Sequence, residues 1–374
     1  MSSLTRGPAS YLKRLLEVIV EMGVGASVVT QSHVASAMPP SGASLVDDAE
    51  MQRKVQFFRE QFGRAKQEMR KMIVGQDAVV DALLEALIAN GHVLVEGVPG
   101  VGKTILIRTL AKVTGCQFSR IQFTPDLLPT DIVGITTYEE GKGFFTVKGP
   151  VFSNFVLADE INRSPPKVQS ALLESMQEHQ ATIGKETFQL PSPFFVMATQ
   201  NPVEQLGTYK LPEAQVDRFL YKVLITYPAF EDEVRILKQN ATVHEFADFQ
   251  LQSVLSQADI LDAQRFVKGI YANPKIERYI VRVVDALRHP TKYNIDSGKY
   301  IAYGASPRSS IALYISSKAH AMLAGRTFVT PDDVKEVAPF VLRHRVSLNF
   351  EGEAAEISPE TIIKEVLDKV PILS

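Results

Sequence analysis

Cysteine is almost missing from these 374 residues: Cys116 stands alone. That excludes an intramolecular disulfide and a cysteine-based zinc cluster, and the lone thiol reads most simply as a small buried hydrophobe. The seven histidines fall without HExxH or other paired ligand spacing, so no dedicated metal cage built from protein side chains is expected. Basic excess is missing too. A formal net charge of −2 disfavours a protein that tracks a nucleic-acid backbone. No stretch approaches the ~18 uninterrupted apolar residues of a membrane span, and a cytoplasmic location is expected. What remains is ordinary globular usage, 45% hydrophobic and 22% charged, at a length that suits two or three domains.

The first fifty residues stand apart. Arg6, Lys13 and Arg14 precede an apolar stretch from Leu15 to Val29, and Ala35-Ser36-Ala37 imitates a cleavage site. Glu17 and Glu21 fall inside the supposed apolar region and break the imitation of a secretory signal. Met38-Pro39-Pro40-Ser41-Gly42-Ala43-Ser44 reads as a linker. Residues 1–50 are therefore expected to be a poorly ordered extension of unassigned role.

From Met51 to Met72 the apolar residues Val55, Phe58, Phe62 and Met69 recur at helical spacing, which predicts an amphipathic helix. Five short strands are then expected: His92–Glu96, Phe118–Gln122, Phe155–Ala158, Phe194–Thr199 and Tyr221–Ile225. They alternate with helical segments, which implies a parallel sheet buried on both faces. Two intervening segments, Thr136–Val147 and Ala181–Leu190, carry glycine at their tips and predict inserted β-hairpins. Beyond Pro228 helical periodicity takes over, with starts at Ser306-Pro307, Thr330-Pro331 and Ser358-Pro359. The expected domains are thus an α/β core over 51–228 and an all-helical domain over 229–374.

Gly97-Val98-Pro99-Gly100-Val101-Gly102-Lys103-Thr104 matches GxxxxGK[ST] directly after a predicted strand and opens the predicted helix Ile105–Lys112. Glycines let backbone N–H groups turn toward phosphates, and the helix N-terminus adds its positive dipole. Lys103 reaches the outer phosphates of ATP and the Thr104 hydroxyl can ligate Mg. Phe155-Val156-Leu157-Ala158 delivers Asp159 and Glu160 at the end of a buried strand, where open α/β sheets bind their ligands. Asp159 would hold Mg through water, and Glu160 would act as general base on the attacking water.

Further segments in order are Ile73-Val74-Gly75-Gln76, Phe123-Thr124-Pro125-Asp126-Leu127-Leu128-Pro129, Ala158-Asp159-Glu160-Ile161-Asn162-Arg163 and Ala198-Thr199-Gln200-Asn201-Pro202. Leu211-Pro212-Glu213-Ala214-Gln215-Val216-Asp217-Arg218-Phe219 and Gly304-Ala305-Ser306-Pro307-Arg308 complete the series. With the phosphate loop, these segments make residues 51–374 resemble the MoxR family of AAA+ ATPases. The resemblance implies a sheet in the order 5-1-4-3-2, a helical lid, and rings, commonly of six, with ATP between neighbours. It implies that Asn201 orients the attacking water, that Arg218 is an arginine finger for the neighbour's γ-phosphate, and that Arg308 contacts phosphate in its own subunit. Ile73 and Val74 match the segment flanking the adenine. Gly102 departs from the family, where alanine is frequent, toward the general loop pattern. Protein clients, and partners carrying von Willebrand factor A domains, are likewise implied by the resemblance alone, as is help in maturing complexes or inserting metals or cofactors.

Three rival readings stay open. A nucleic-acid motor would need basic hairpins, yet Lys142, Lys148 and Lys185 are offset by Glu139, Glu140 and Glu186. A ring that uses ATP only as an assembly switch would not need both Glu160 and Arg218. A magnesium-chelatase-like motor differs mainly in client.

Overall fold

The structure, a computed structural model, describes residues 45–141, 143–201, 209–239 and 246–372. Most of the extension assigned to residues 1–50 lies outside them, as do Lys142 and Pro202.

Helix α1 (Leu45–Met69) opens the described chain and buries Val55, Phe58, Phe62 and Met69. Helix α2 (Asp77–Ile88) follows, then β1 (Val93–Gly97), α3 (Lys103–Val113), β2 (Phe118–Gln122) and α4 (Pro129–Val133). Next come the hairpin β3–β4 (Gly134–Glu139, Gly143–Lys148), β5 (Phe155–Asp159), α5 (Pro166–Glu178) and the hairpin β6–β7 (Gln180–Ile183, Glu186–Gln189). Strand β8 (Phe195–Gln200), the short α6 (Glu213–Val216), β9 (Tyr221–Ile225) and α7 (Phe230–Gln239) complete the α/β part.

Strands β2, β5, β8, β1 and β9 form one sheet in that order, and every pairing in it is parallel. Counted along the chain, the five run 5-1-4-3-2. Alternation sorts their side chains between two cores. Val93, Val95, Leu157 and Met197 join α1, α2 and α3 on one face, while Leu94, Val156, Ala158 and Val196 join α5 on the other. A central strand must therefore be apolar throughout, and β5 is buried at all five positions. Strand β2 lies at the edge and carries Ser119, Arg120 and Gln122.

Helices α8 (Gln257–Phe266), α9 (Pro274–Arg288), α10 (Pro307–Leu323), α11 (Pro331–Leu342), α12 (Phe350–Ala354) and α13 (Pro359–Lys369) build the C-terminal part. Asp333 accepts from the Thr330 N–H at 2.6 Å and its hydroxyl at 2.8 Å, and Ser358 caps α13 through the Thr361 N–H at 3.2 Å. These caps satisfy backbone donors that a helix start leaves open. Ser306 behaves otherwise. Its hydroxyl makes no cap bond and instead donates to Asp217 at 3.0 Å.

One expectation needs correcting. The C-terminal part is not all-helical, because β10 (Ile301–Tyr303) pairs antiparallel with β11 (Ser347–Leu348). Strands of three and two residues are too short to print a period-2 pattern. Buried packing runs across 228. Ala312, Leu313, Val334 and Ile362 belong to the same buried cluster as Val93, Leu106 and Phe62. A polar rivet crosses the junction: Glu85 on α2 accepts from the Tyr221 hydroxyl at 3.0 Å and pairs with His320 Nδ1 on α10 at 2.7 Å. The bond to Glu85 holds the His320 pKa above its ordinary value. Cys116 is half-buried against this core, and burial pushes its thiol pKa up.

Candidate functional site

Strand β1 ends at Gly97, and the loop to α3 turns through Gly100 and Gly102, both at φ +82°. That left-handed backbone suits glycine, and an added Cβ at either position would meet open space, not protein. At Gly97 a Cβ would lie 2.6 Å from the Ile225 carbonyl, so close packing against β9 fixes that glycine. Gln76 Nε2 donates to the Val101 carbonyl at 3.0 Å and pins the loop from outside. Lys103 Nζ donates to the Gly97 carbonyl at 2.7 Å across the loop mouth. No side chain caps the first turn of α3, where Lys103, Thr104 and Ile105 sit. The start of a helix and the open glycine cradle suit an anion such as a polyphosphate.

A cavity of about 180 Å³ adjoins the loop, walled by Ile73, Val74, Ile105, Pro228, Ile236 and Phe249. Apolar walls beside a phosphate cradle suit a purine ring. Val98 and Pro99 complete the turn between Gly97 and Gly100.

The acidic pair stands two strands away in the same sheet. Asp159 closes β5 and is 8% exposed. Glu160 follows at φ 56°, a left-handed conformation that a side-chain-bearing residue adopts only when its surroundings enforce it. The enforcing group is Thr199 on β8. It accepts from the Glu160 N–H at 2.8 Å and donates to Asp159 Oδ1 at 2.7 Å, and the turn aims two adjacent carboxylates along different directions. Glu160 Oε2 accepts from Gln122 at 3.1 Å and Arg163 at 2.9 Å. Asp159 Oδ2 accepts from Arg120 Nε at 3.1 Å and from one terminal guanidinium nitrogen at 2.7 Å. Since β8 lies between β5 and β1, Asn201, 4% exposed just past its end, falls between the acids and the phosphate loop.

Among the described residues no group of three or more His, Cys, Asp or Glu is gathered to hold a metal. Mg usually keeps several waters and leans on one or two carboxylates plus substrate phosphates. A site offering the Thr104 hydroxyl and Asp159 fits that habit.

The structure does not bring Arg218 or Arg308 to the loop. Arg218 follows α6 and donates to the Leu173 carbonyl at 3.1 Å. Arg308 opens α10 with its guanidinium 3.8 Å from Asp217. Both line a separate cavity of about 310 Å³ with Arg345, Leu220 and Ile315, and neither bounds the cavity beside the loop. Arg308, expected to serve its own subunit's phosphate, lies in a first turn of α10 that faces the Asp217–Arg218 segment.

Sequence reasoning missed Arg120, Gln122, Thr199 and Arg345. For the first two a signal existed, since Arg and Gln two residues apart on a strand share one face and have no place in an apolar core. Arg345 gave none, being separated from Asp217 by 128 residues.

The chain is similar to known AAA proteins. Residues 92–221 match the profile of the ATPase family associated with various cellular activities (AAA), and residues 295–366 match the AAA lid domain. The chain is 49% identical over 311 residues to Chaperone MoxR1 of Mycobacterium tuberculosis, covering 83% of this chain and 81% of that one. It is 32% identical over 333 residues to Protein MoxR of Methylorubrum extorquens, covering 84% and 96%. A solved structure from Cytophaga hutchinsonii, named as a candidate ATPase, superposes with a TM-score of 0.82 at 46% identity, over 88% of this chain and 99% of that chain.

Proposed function

The chain belongs to the MoxR family of AAA+ ATPases, and from that premise we propose that it hydrolyses ATP between the subunits of a ring, commonly of six, to remodel protein clients. The observation that carries the reading is the sheet order. It sets the phosphate loop after β1 and the acids after β5 on either side of β8, so base, amide and phosphate cradle share one end of three neighbouring strands.

The adenine lies against Ile73 and Val74. The phosphates rest on the N–H groups of the loop and of Lys103, Thr104 and Ile105, and the Lys103 ammonium meets the outer phosphates. Thr104 and, through water, Asp159 would hold Mg, which would supply positive charge to offset that of the phosphates. Glu160 accepts the proton of the attacking water, Asn201 orients that water, and the water oxygen bonds the γ-phosphorus as the in-line bond to the ADP oxygen breaks, releasing ADP and phosphate. Arg218 and Arg308 lie away from their own subunit's loop, and we assign both to the neighbour's phosphates, where a guanidinium offsets negative charge.

The test separates binding from chemistry. Lys103→Ala should lose affinity for a fluorescent ATP analogue. Glu160→Gln should bind it and release phosphate slower by about a hundredfold or more, the scale of a general base. Full turnover by Glu160→Gln would remove Glu160 from the mechanism.

A protein client is favoured over nucleic acid by the hairpin β3–β4. Phe144 is 79% exposed and packs edge-on against Tyr138 at 5.2 Å. Phe145, Ile135 and Val147 are partly exposed on the other face of the ribbon. Lys148, at the base, lies 5.0 Å and 5.1 Å over the rings of Phe152 and Phe188, which ties the hairpin to β6–β7. An exposed apolar tip suits an unfolded or docking protein segment. Phe144→Ser with Phe145→Ser should abolish client loading and leave ATPase activity and assembly intact, whereas loss of folding would place the pair in the core. Metal or cofactor insertion, and partners with von Willebrand factor A domains, are the specific forms of client work that family membership favours.

A further inference from the structure

We infer that Arg120 is the counter-ion of Asp159 in the metal-free site and competes with Mg for it, so that this arginine sets how much Mg the nucleotide site requires. The inference rests on the ATPase reading above and concerns the metal requirement of that same site.

The Asp159 carboxylate cannot stand alone. It is nearly buried at the end of β5, where an unpaired charge is costly. Its Oδ1 is committed to Thr199, whose oxygen also accepts from the Glu160 N–H. That hydroxyl has one proton and spends it on Asp159, which fixes the bond. Oδ2 is therefore the oxygen turned to any incoming group, and two guanidinium N–H groups of Arg120 meet it. Paired strands explain the reach. Gln122 lies opposite Asp159 in the β2–β5 register, so Arg120, two residues earlier on the same face, runs its side chain along the strand to the carboxylate.

Two features make the arrangement exchangeable. The Arg120 side chain is 50% exposed, against 11% for that of Asp159, so the arginine can withdraw into water while the aspartate cannot. Its terminal nitrogen also donates to Gln122 Oε1 at 2.6 Å, which offers a resting partner once Oδ2 is given up. A guanidinium and a hydrated dication serving one carboxylate oxygen repel each other. Arrival of Mg with nucleotide then has to displace Arg120, and the lost charge-assisted bonds are subtracted from the metal's affinity.

The experiment titrates Mg against binding of a fluorescent ATP analogue, with no turnover needed. Arg120→Gln should reach half-maximal Mg-dependent binding at a Mg concentration lower by about tenfold, the scale of hydrogen bonds to a charged group. Arg120→Lys, which keeps the charge without the fork, should shift in the same direction by less. In EDTA, thermal unfolding should show Arg120→Gln less stable than the parent protein. The loss should disappear when Asp159→Asn is added, because no charge is then left uncompensated. An unchanged or raised Mg midpoint in Arg120→Gln, with the parent binding Mg nucleotide normally, overturns the inference alone. A parent protein that shows no Mg-dependent nucleotide binding overturns the ATPase reading and the inference with it.

Discussion

Phosphate release by Arg218→Ala should fall about 10³–10⁵-fold while ATP binding is retained, the usual scale of an arginine finger. The prediction follows from separation within one subunit. Arg218 contacts the Leu173 carbonyl and lines the cavity shared with Arg308 and Arg345, so the finger we propose there would act on a neighbour's phosphate. Mixing supplies the decisive measurement. Rings assembled from Arg218→Ala and Glu160→Gln subunits contain some interfaces that join an intact base to an intact finger, and those interfaces should recover hydrolysis that neither variant shows alone. Rings proven to be mixed that stay inactive would return Arg218 to a structural role.

The α/β core was legible because its signals are local. Glycine spacing, a hydrophobic strand before it and a helix after it define the phosphate loop within a dozen residues. A buried strand ending in Asp159 and Glu160 is equally compact. Strand ends moved by about one residue, as with Phe195–Gln200 in place of Phe194–Thr199, since pairing and not hydrophobicity sets where a ladder stops. What was hidden is non-local. The Thr199 hydroxyl that steers both acids lies 40 residues from Asp159, and a threonine in a strand is ordinary. For Arg308 the motif identified the helix start, and only packing reveals that this start faces Asp217. The β10–β11 pair was illegible for the same reason, its two short segments being joined only by the fold.

Arg345→Met should destabilise the protein by about 3–5 kcal/mol, the cost of breaking a buried ion pair and stranding its partners. The Arg345 side chain is 3% exposed, yet it comes from the segment after α11 and serves the segment 217–220. Its Nε donates to Asp217 Oδ1 at 2.7 Å. One terminal nitrogen donates to the carbonyls of Asp217 at 3.1 Å and Phe219 at 2.7 Å, and the other to Leu220 at 3.1 Å and to Val341. Burial pulls the guanidinium pKa down and Asp217 pulls it back up, so a charge is retained where only a full set of acceptors could hold it. Arg345 binds Asp217, Phe219 and Leu220, so the Arg218 side chain, which donates to the Leu173 carbonyl, is presented from a clamped backbone. The positioning role is distinguished from simple stability by Arg345→Lys, which can keep the pair with Asp217 but cannot serve four carbonyls. That variant should fold and bind ATP, yet hydrolyse it poorly, and mixing it with Glu160→Gln should restore activity much less than complementation by the parent finger would. Urea unfolding measures the first effect and the mixing assay the second. If Arg345→Lys hydrolysed ATP at the parent rate, the clamp would support the fold without aiming the finger.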